Sequence, residues 1–337
     1  MVKYPTLKEN FTIGITAPSS GVDRELHPLV EQVMDKMKAK GHSIICGDTV
    51  WTQEKAKSAP APIRAQELQQ MMSNENIDVI IPPWGGELLV EILSYVDFHA
   101  FQKKWILGYS DTSSLLLAVT LKTGMATAHG PNLIDLRGQE EDDTTRMWLS
   151  VLQTKQGEKI VQHSSSKYQK KWQHDNPTPV IFHLTEDTVW KTTSNSNVNM
   201  EGRFLGGCLD IINFLVGTPY GDVKAFQSKQ INNEPIIWYF EVCDMNATDI
   251  KRSLVQMKLA GWFDNISGIM FGRTPASKPV EGYTKEDVYN ELAEELDVPV
   301  VYDVDCGHVP PQITFVNGAL GQVKVENGKG EIVQTFI

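Results

Sequence analysis

Trp105-Ile106-Leu107-Gly108-Tyr109-Ser110-Asp111-Thr112 carries an apolar, β-prone run through Gly-Tyr-Ser directly into a helix expected over residues 112–121. A strand that enters a helix through so short a turn is half of a parallel crossover unit, and the same alternation recurs upstream. Residues 12–17 are β-prone and are broken by Pro18-Ser19-Ser20-Gly21. Leu26, Val30, Val33, Met34 and Met37 then fall on one helical face, with Gly41 where a C-terminal cap belongs. Residues 43–46 give a second strand. Pro62 opens a helix whose Ile63, Leu68, Met71 and Met72 are expected inside, and residues 78–81 give a third strand. This half of the chain is predicted to be an α/β layer with a parallel sheet.

Downstream the texture changes. Residues 156–199 are rich in Ser, Lys, Gln, Asn and Thr with scattered Trp, which reads as a linker or functional loop. Beyond them a helix is expected over 207–216, strands over 236–242, 266–271 and 298–304, an amphipathic helix over 248–259, and a terminal hairpin around Asn327-Gly328. A chain of 337 residues exceeds what one core usually organises. The predicted division is therefore a nucleophile-bearing α/β domain over 1–155, a linker and substrate loop over 156–199, and a second mixed domain over 200–337.

Composition narrows the partners. A formal charge of −11 disfavours nucleic acid, whose recognition needs clustered Lys and Arg. No stretch approaches the roughly 18 apolar residues of a membrane helix, and residues 1–10 lack the pattern of a secretory signal. Cys46, Cys208, Cys243 and Cys306 are widely spaced with no Cys-x-x-Cys, which suits buried thiols in a reducing compartment. A cytoplasmic protein acting on a small molecule is expected.

The turn at Ser110 has the physics of a nucleophile elbow. Its hydroxyl can project while the Asp111 N–H and the helix N-terminus favour developing negative charge. The Gly-x-Ser-x-Gly pattern is incomplete because Thr112 stands at the second glycine, and helix capping by Ser110 or Asp111 is the competing reading. A second strand-to-helix turn, Pro82-Pro83-Trp84-Gly85-Gly86, offers the Gly86 N–H as another oxyanion donor, with Trp84 as a substrate-binding candidate. A base must come from elsewhere: His308, in Asp305-Cys306-Gly307-His308-Val309-Pro310-Pro311, or His129 in its competing loop. Glu241, an acid ending an apolar strand, is the candidate orienting carboxylate, with Asp244, Asp303 and Asp305 as substitutes.

Taken in order, Ile15-Thr16-Ala17-Pro18-Ser19-Ser20, Gly85-Gly86, Gly108-Tyr109-Ser110-Asp111, Gly202-Arg203-Phe204-Leu205-Gly206-Gly207, Glu241 and Gly307-His308 resemble the LD-carboxypeptidase and microcin-immunity (MccF-like) family of serine peptidases. The resemblance implies a flavodoxin-like N-terminal domain related to class I glutamine amidotransferases, and a smaller β-rich α+β C-terminal domain. It also implies a Ser110–His308–Glu241 triad, with Gly86 and Asp111 N–H groups at the oxyanion. No metal or organic cofactor is implied, and homodimers are. Substrates in the family are murein peptides or aminoacyl-nucleotide-like toxins. Cys208 stands where relatives commonly carry Asn, and Met245 where the immunity branch has Lys, which tilts the expectation toward a peptide. Trp172 is the candidate stacking residue for a nucleotide. A non-catalytic peptide-binding protein is the alternative from another class.

Overall fold

The computed structural model describes residues 1–171, 173, 176 and 178–337. Five short strands, β1 (Thr12–Ile15), β2 (Ser43–Cys46), β3 (Val79–Ile80), β4 (Trp105–Gly108) and β5 (Thr127–His129), pair in parallel in the spatial order β2-β1-β3-β4-β5. That is the flavodoxin-like order, which places its loops for ligand binding beyond the carboxyl ends of the strands. Helices α1 (His27–Ala39), α2 (Ala61–Ser73) and α3 (Thr112–Thr123) make crossovers, and α4 (Met147–Gln153) follows the sheet. α1 buries Val30, Val33 and Met37 on one stripe, as its spacing requires. In α3 every residue from Thr112 to Leu121 is buried, because protein covers it on all sides.

The second sheet has eight strands. These come from β6 (Lys159–His163), β9 (Lys191–Thr192), β10 (Val198–Cys208), β11 (Ile236–Glu241), β12 (Ile266–Gly272), β13 (Val300–Val304), β15 (Leu320–Glu326) and β16 (Lys329–Thr335), in the order β6-β16-β15-β10-β11-β12-β13-β9. Its centre, β10 to β13, is parallel, and its flanks are antiparallel. Strands β7 (Lys167–Gln169) and β8 (Leu184–Asp187) form a separate hairpin. Short helices α5 (Leu209–Ile212) and α6 (Val223–Gln230) and longer α7 (Ala247–Leu259) and α8 (Lys285–Leu296) complete this half. Among the described residues no helix is long and apolar enough to cross a membrane.

The two sheets are bolted together near the site. β14 (Phe315–Asn317) leaves the second half and adds antiparallel to β5, at the edge of the first sheet. Its fully buried Asn317 accepts from the Gly206 N–H at 3.0 Å and the Tyr239 hydroxyl at 2.8 Å, both in the second sheet. Ser113 of α3 accepts from the Cys208 N–H at 3.0 Å. Buried polar groups with all partners supplied fix a unique arrangement where apolar packing alone would slide.

Three expectations are revised. Residues 156–199, expected as linker and substrate loop, supply β6 and β9 to opposite edges of the larger sheet as well as the β7–β8 hairpin. The helix expected over 207–216 begins only at Leu209, because Gly206 and Gly207 continue β10 in register with Tyr239 and Phe240. Ile63 is half exposed on the outer face of α2, whereas Leu68, Met71 and Met72 are buried as expected.

Candidate active site

Ser110 sits two residues after the end of β4, at the carboxyl edge of the first sheet, with φ +62°. A non-glycine residue pays for the left-handed region with steric strain, and such outliers concentrate where a side chain must be aimed. Asp111, next in the chain, is buried and does not cap α3; its Oδ2 accepts from the Ser19 hydroxyl and from the Leu89 N–H at 2.8 Å. Burial pushes its carboxyl up, against those two hydrogen bonds and the charge of Arg64. The loops after β1 and β3 are thus tied to the elbow. Arg64, fully buried on α2, reinforces this by donating to the carbonyls of Pro18 at 2.8 Å and Leu88 at 2.9 Å and pairing with Glu91. In the sequence Ser19 is marked only as part of the Pro-Ser-Ser-Gly break and the motif around it, with no role assigned, and Arg64 carries no signal at all.

Gly85 and Gly86 bring the β3 loop against the serine. A Cβ on Gly85 would lie 2.6 Å from the Ser110 Cβ, and Gly86 has φ +141°, where a Cβ would strike the Ser19 and Ser20 hydroxyls at 2.4 Å. Only glycine permits that approach. Trp84 is partly buried, and its indole N–H donates to the Gly21 carbonyl at 3.0 Å.

The second half contributes the partners. Glu241 ends β11 with no exposure at all, and Gly307 (φ +88°) is the turn that lets the β13 loop close over it, since a Cβ there would meet the Glu241 Cβ at 2.5 Å. His308 Nδ1 lies 2.7 Å from Glu241 Oε2, and its Nε2 lies 3.2 Å from Ser110 Oγ. The imidazole also packs edge-on to Tyr109, with centroids 5.1 Å apart. The structure therefore brings together Ser110, His308 and Glu241 from positions 198 and 67 residues apart.

Burial alone would raise the Glu241 carboxyl and lower the His308 imidazole. The interaction between them wins in both cases, holding Glu241 below its usual range and His308, also beside Cys243, well above its ordinary value. A carboxylate held charged against Nδ1 keeps the Nδ1 proton in place and turns Nε2 toward the serine, the orientation a general base needs.

The other candidates lie elsewhere or are engaged. His129 is fully buried, and desolvation drops its pKa to about 4; its Nδ1 lies 3.9 Å from the Cys306 thiol. Asp305 is enclosed by donors from Ser165, Trp190 and Arg273. Asp303 pairs with Lys191 at 2.8 Å and Lys285 at 3.5 Å. The Asp244 N–H donates to Asp210 Oδ1 at 2.9 Å, and the residue is exposed. Met245 sits in the same Asp210 turn, its sulfur 3.8 Å from the Ser253 hydroxyl. Trp172 lies outside the described residues.

Comparison with known proteins agrees with this architecture over the whole chain. The family model of the LD-carboxypeptidase N-terminal domain matches residues 13–130, and that of the LD-carboxypeptidase C-terminal domain matches residues 201–323. The microcin C7 self-immunity protein MccF of Escherichia coli is 25% identical over 89% of this chain and 87% of its own length. MccF solved in complex with aspartyl sulfamoyl adenosine superposes with a TM-score of 0.82 at 21% identity, over 100% of this chain and 99% of that one. The muramoyltetrapeptide carboxypeptidase of Oxalobacter formigenes gives a TM-score of 0.73 at 19% identity, over 96% and 98% of the two chains.

Proposed function

Because the chain belongs to the LD-carboxypeptidase family through both its N- and C-terminal domains, we propose that it is a serine-type peptidase or amidase, hydrolysing an amide beside a carboxylate in a small peptide. One observation carries the reading: the continuous hydrogen-bond relay from Ser110 Oγ through His308 to the buried Glu241, with links of 3.2 and 2.7 Å. Ser110 Oγ attacks the carbonyl carbon as its proton passes to His308 Nε2. The oxyanion is received by the Gly86 and Asp111 N–H groups, whose loops are braced on Ser19 and Arg64. His308 then gives the proton to the leaving amine, whose C–N bond breaks to leave an acyl-serine. Water, deprotonated by the same nitrogen, releases the acid and regenerates Ser110. Glu241 stays ionised throughout and balances the transient imidazolium.

The preferred leaving group is an amino acid of a murein-type peptide. Met245 offers no charge to a phosphoryl or sulfamoyl linker, where a lysine would. The second reading, cleavage of an aminoacyl-nucleotide amide, rests on the aspartyl sulfamoyl adenosine complex of MccF. A cytoplasmic homodimer belongs to the same proposal. Incubating the protein separately with a murein tetrapeptide and with aspartyl sulfamoyl adenosine, and weighing the products, distinguishes the two. Labelling of Ser110 by a fluorophosphonate tests the nucleophile itself, and a wild-type protein left unlabelled would sink the proposal and favour a peptide-binding role.

A further inference from the structure

The two N–H groups assigned to the oxyanion belong to different loops, Gly86 to the turn after β3 and Asp111 to the elbow after β4. Donors act on a developing charge only when both lie about 2.7–3.1 Å from the same oxygen, so the spacing between the loops is part of the chemistry. One side of that gap is bridged by the Asp111 carboxylate, through Ser19 and Leu89. The other side is bridged by the loop after β5. The Leu133 N–H donates to the Pro82 carbonyl at 3.0 Å and the Ile134 N–H to the Pro83 carbonyl at 3.2 Å, just upstream of Gly85 and Gly86. At the start of the same turn, Asn132 Oδ1 accepts from the Tyr109 N–H at 3.2 Å, one residue before Ser110.

Gly108 shows how close this contact is. A Cβ there would stand 2.8 Å from Asn132 Oδ1, 3.1 Å from Thr112 Cγ2 and 3.2 Å from Pro82 Cγ, so β4, α3, the β3 loop and the β5 loop converge on one glycine. Asn132 is 3% exposed, and its own N–H donates to Asp135 Oδ2 at 3.0 Å, which leaves little freedom to its backbone. Ser110 meanwhile holds φ +62°, a conformation that relaxes unless its surroundings over-determine it. A part-buried N–H stripped of its acceptor turns toward water or stays unpaired, and in either case the elbow shifts.

We propose that Asn132 is a positioning residue for the reaction, holding the elbow and the Gly86 turn at the spacing an oxyanion needs rather than contacting substrate. The inference rests on the hydrolase reading given above and adds to it the side chain that couples the two oxyanion donors. Its loss slows the development of charge without weakening the substrate complex, because a ground-state carbonyl gains little from donors that the transition state needs.

The test is the rate at which a fluorophosphonate labels Ser110, since Oγ displaces fluoride from phosphorus while the phosphonyl oxygen draws on the same donors. Asn132→Leu, similar in shape but without an acceptor, should label about tenfold to a hundredfold more slowly than wild type, short of the roughly 10²–10³ for deleting an oxyanion donor outright. It should still reach the wild-type endpoint. In a Ser110→Ala background it should bind the tetrapeptide L-Ala-γ-D-Glu-L-Lys-D-Ala within about twofold of the parent, which places the loss in the chemical step. Asn132→Asp keeps an acceptor oxygen in either protonation state and should recover most of the rate. A wild-type labelling rate in Asn132→Leu, a reduced endpoint whose labelled fraction reacts at the wild-type rate, a loss carried by tetrapeptide affinity, or an Asn132→Asp no faster than Asn132→Leu would overturn the assignment. If Asn132→Leu does not fold, Gly108→Ala reaches the same contact from the elbow: its Cβ displaces Asn132 Oδ1 and should slow labelling likewise, and a wild-type rate there would overturn the assignment too. A wild-type protein that never labels sinks the hydrolase reading itself, which keeps the two failures apart.

Discussion

Glu241 and Asp305 are two carboxylates at the same edge of the same sheet, both without solvent exposure, and they are used in opposite ways. Asp305 is saturated. It accepts from the Ser165 N–H and the Trp190 indole at 2.9 Å each, from the Ser165 hydroxyl, and from the Arg273 guanidinium, itself stacked on Tyr168. Glu241 is left hungry. Oε2 has His308, while Oε1 has no N–H or O–H partner among the described residues, the weakly donating thiol of Cys208 lying beside the carboxylate. A buried charge with several fixed donors gains little from any one of them and serves to hold segments together. A buried charge with a single titratable partner concentrates its field there, and that is what makes it useful to a base.

The contrast is sharpest if each acid is neutralised in place. Glu241→Gln should lower kcat/KM by roughly 10⁴, the scale for losing the orienting acid of a triad, with little change in melting temperature. Equal activity in that variant would show that Glu241 is no more functional than Asp305. Asp305→Asn should do the reverse: breaking a buried pair with Arg273 costs about 3–5 kcal/mol, read as a lowered urea midpoint, while the folded fraction still labels at Ser110. A stable Asp305→Asn protein without activity would invert the comparison.

A finer measurement is the pH dependence. The imidazolium cannot take the serine proton, and Glu241 holds His308 well above its ordinary 6.5, so kcat/KM should fall as pH drops through an ionisation above that value. In Glu241→Gln the carboxylate is gone but the burial remains, and the residual activity should persist to lower pH. A limb that does not move would show that another group sets it. The smallest effect is expected at His129, already neutral with a pKa of about 4: His129→Asn should change kcat/KM by less than about tenfold, the size of a packing disturbance near a site.

What the sequence disclosed follows the same division between local and remote causes. The strand–helix alternation and the Gly-Tyr-Ser turn are local, so β1 to β4 and the elbow could be read from periodicity and breakers alone. The pairing of Glu241 with His308 spans 67 residues and has no local signature; the ordered set of motifs suggested it, and folding brings the two into contact. β6 and β9 were illegible because polar edge strands, with residues such as Lys159, Gln162 and Lys191, alternate too weakly to stand out from a loop. Ile63 was misplaced because a lone apolar residue at the start of a helix satisfies the pattern on either face. Arg64 was passed over because an arginine in sequence looks like surface, and only its burial distinguishes it.

The strand Phe315–Asn317 has a practical meaning for anyone dividing this molecule. The first sheet borrows its last strand from the far end of the polypeptide, so residues 1–155 produced alone would carry an open ladder along Thr127–His129, with bare N–H and C=O groups beside an apolar face. Such an edge recruits whatever strand is at hand. The fragment is expected to self-associate, and adding a synthetic peptide that spans residues 313–319 should compete with that association. A full-length chain whose connection ahead of residue 315 were shortened would meet the same need by lending the strand to a neighbour, exchanging ends in a swapped pair.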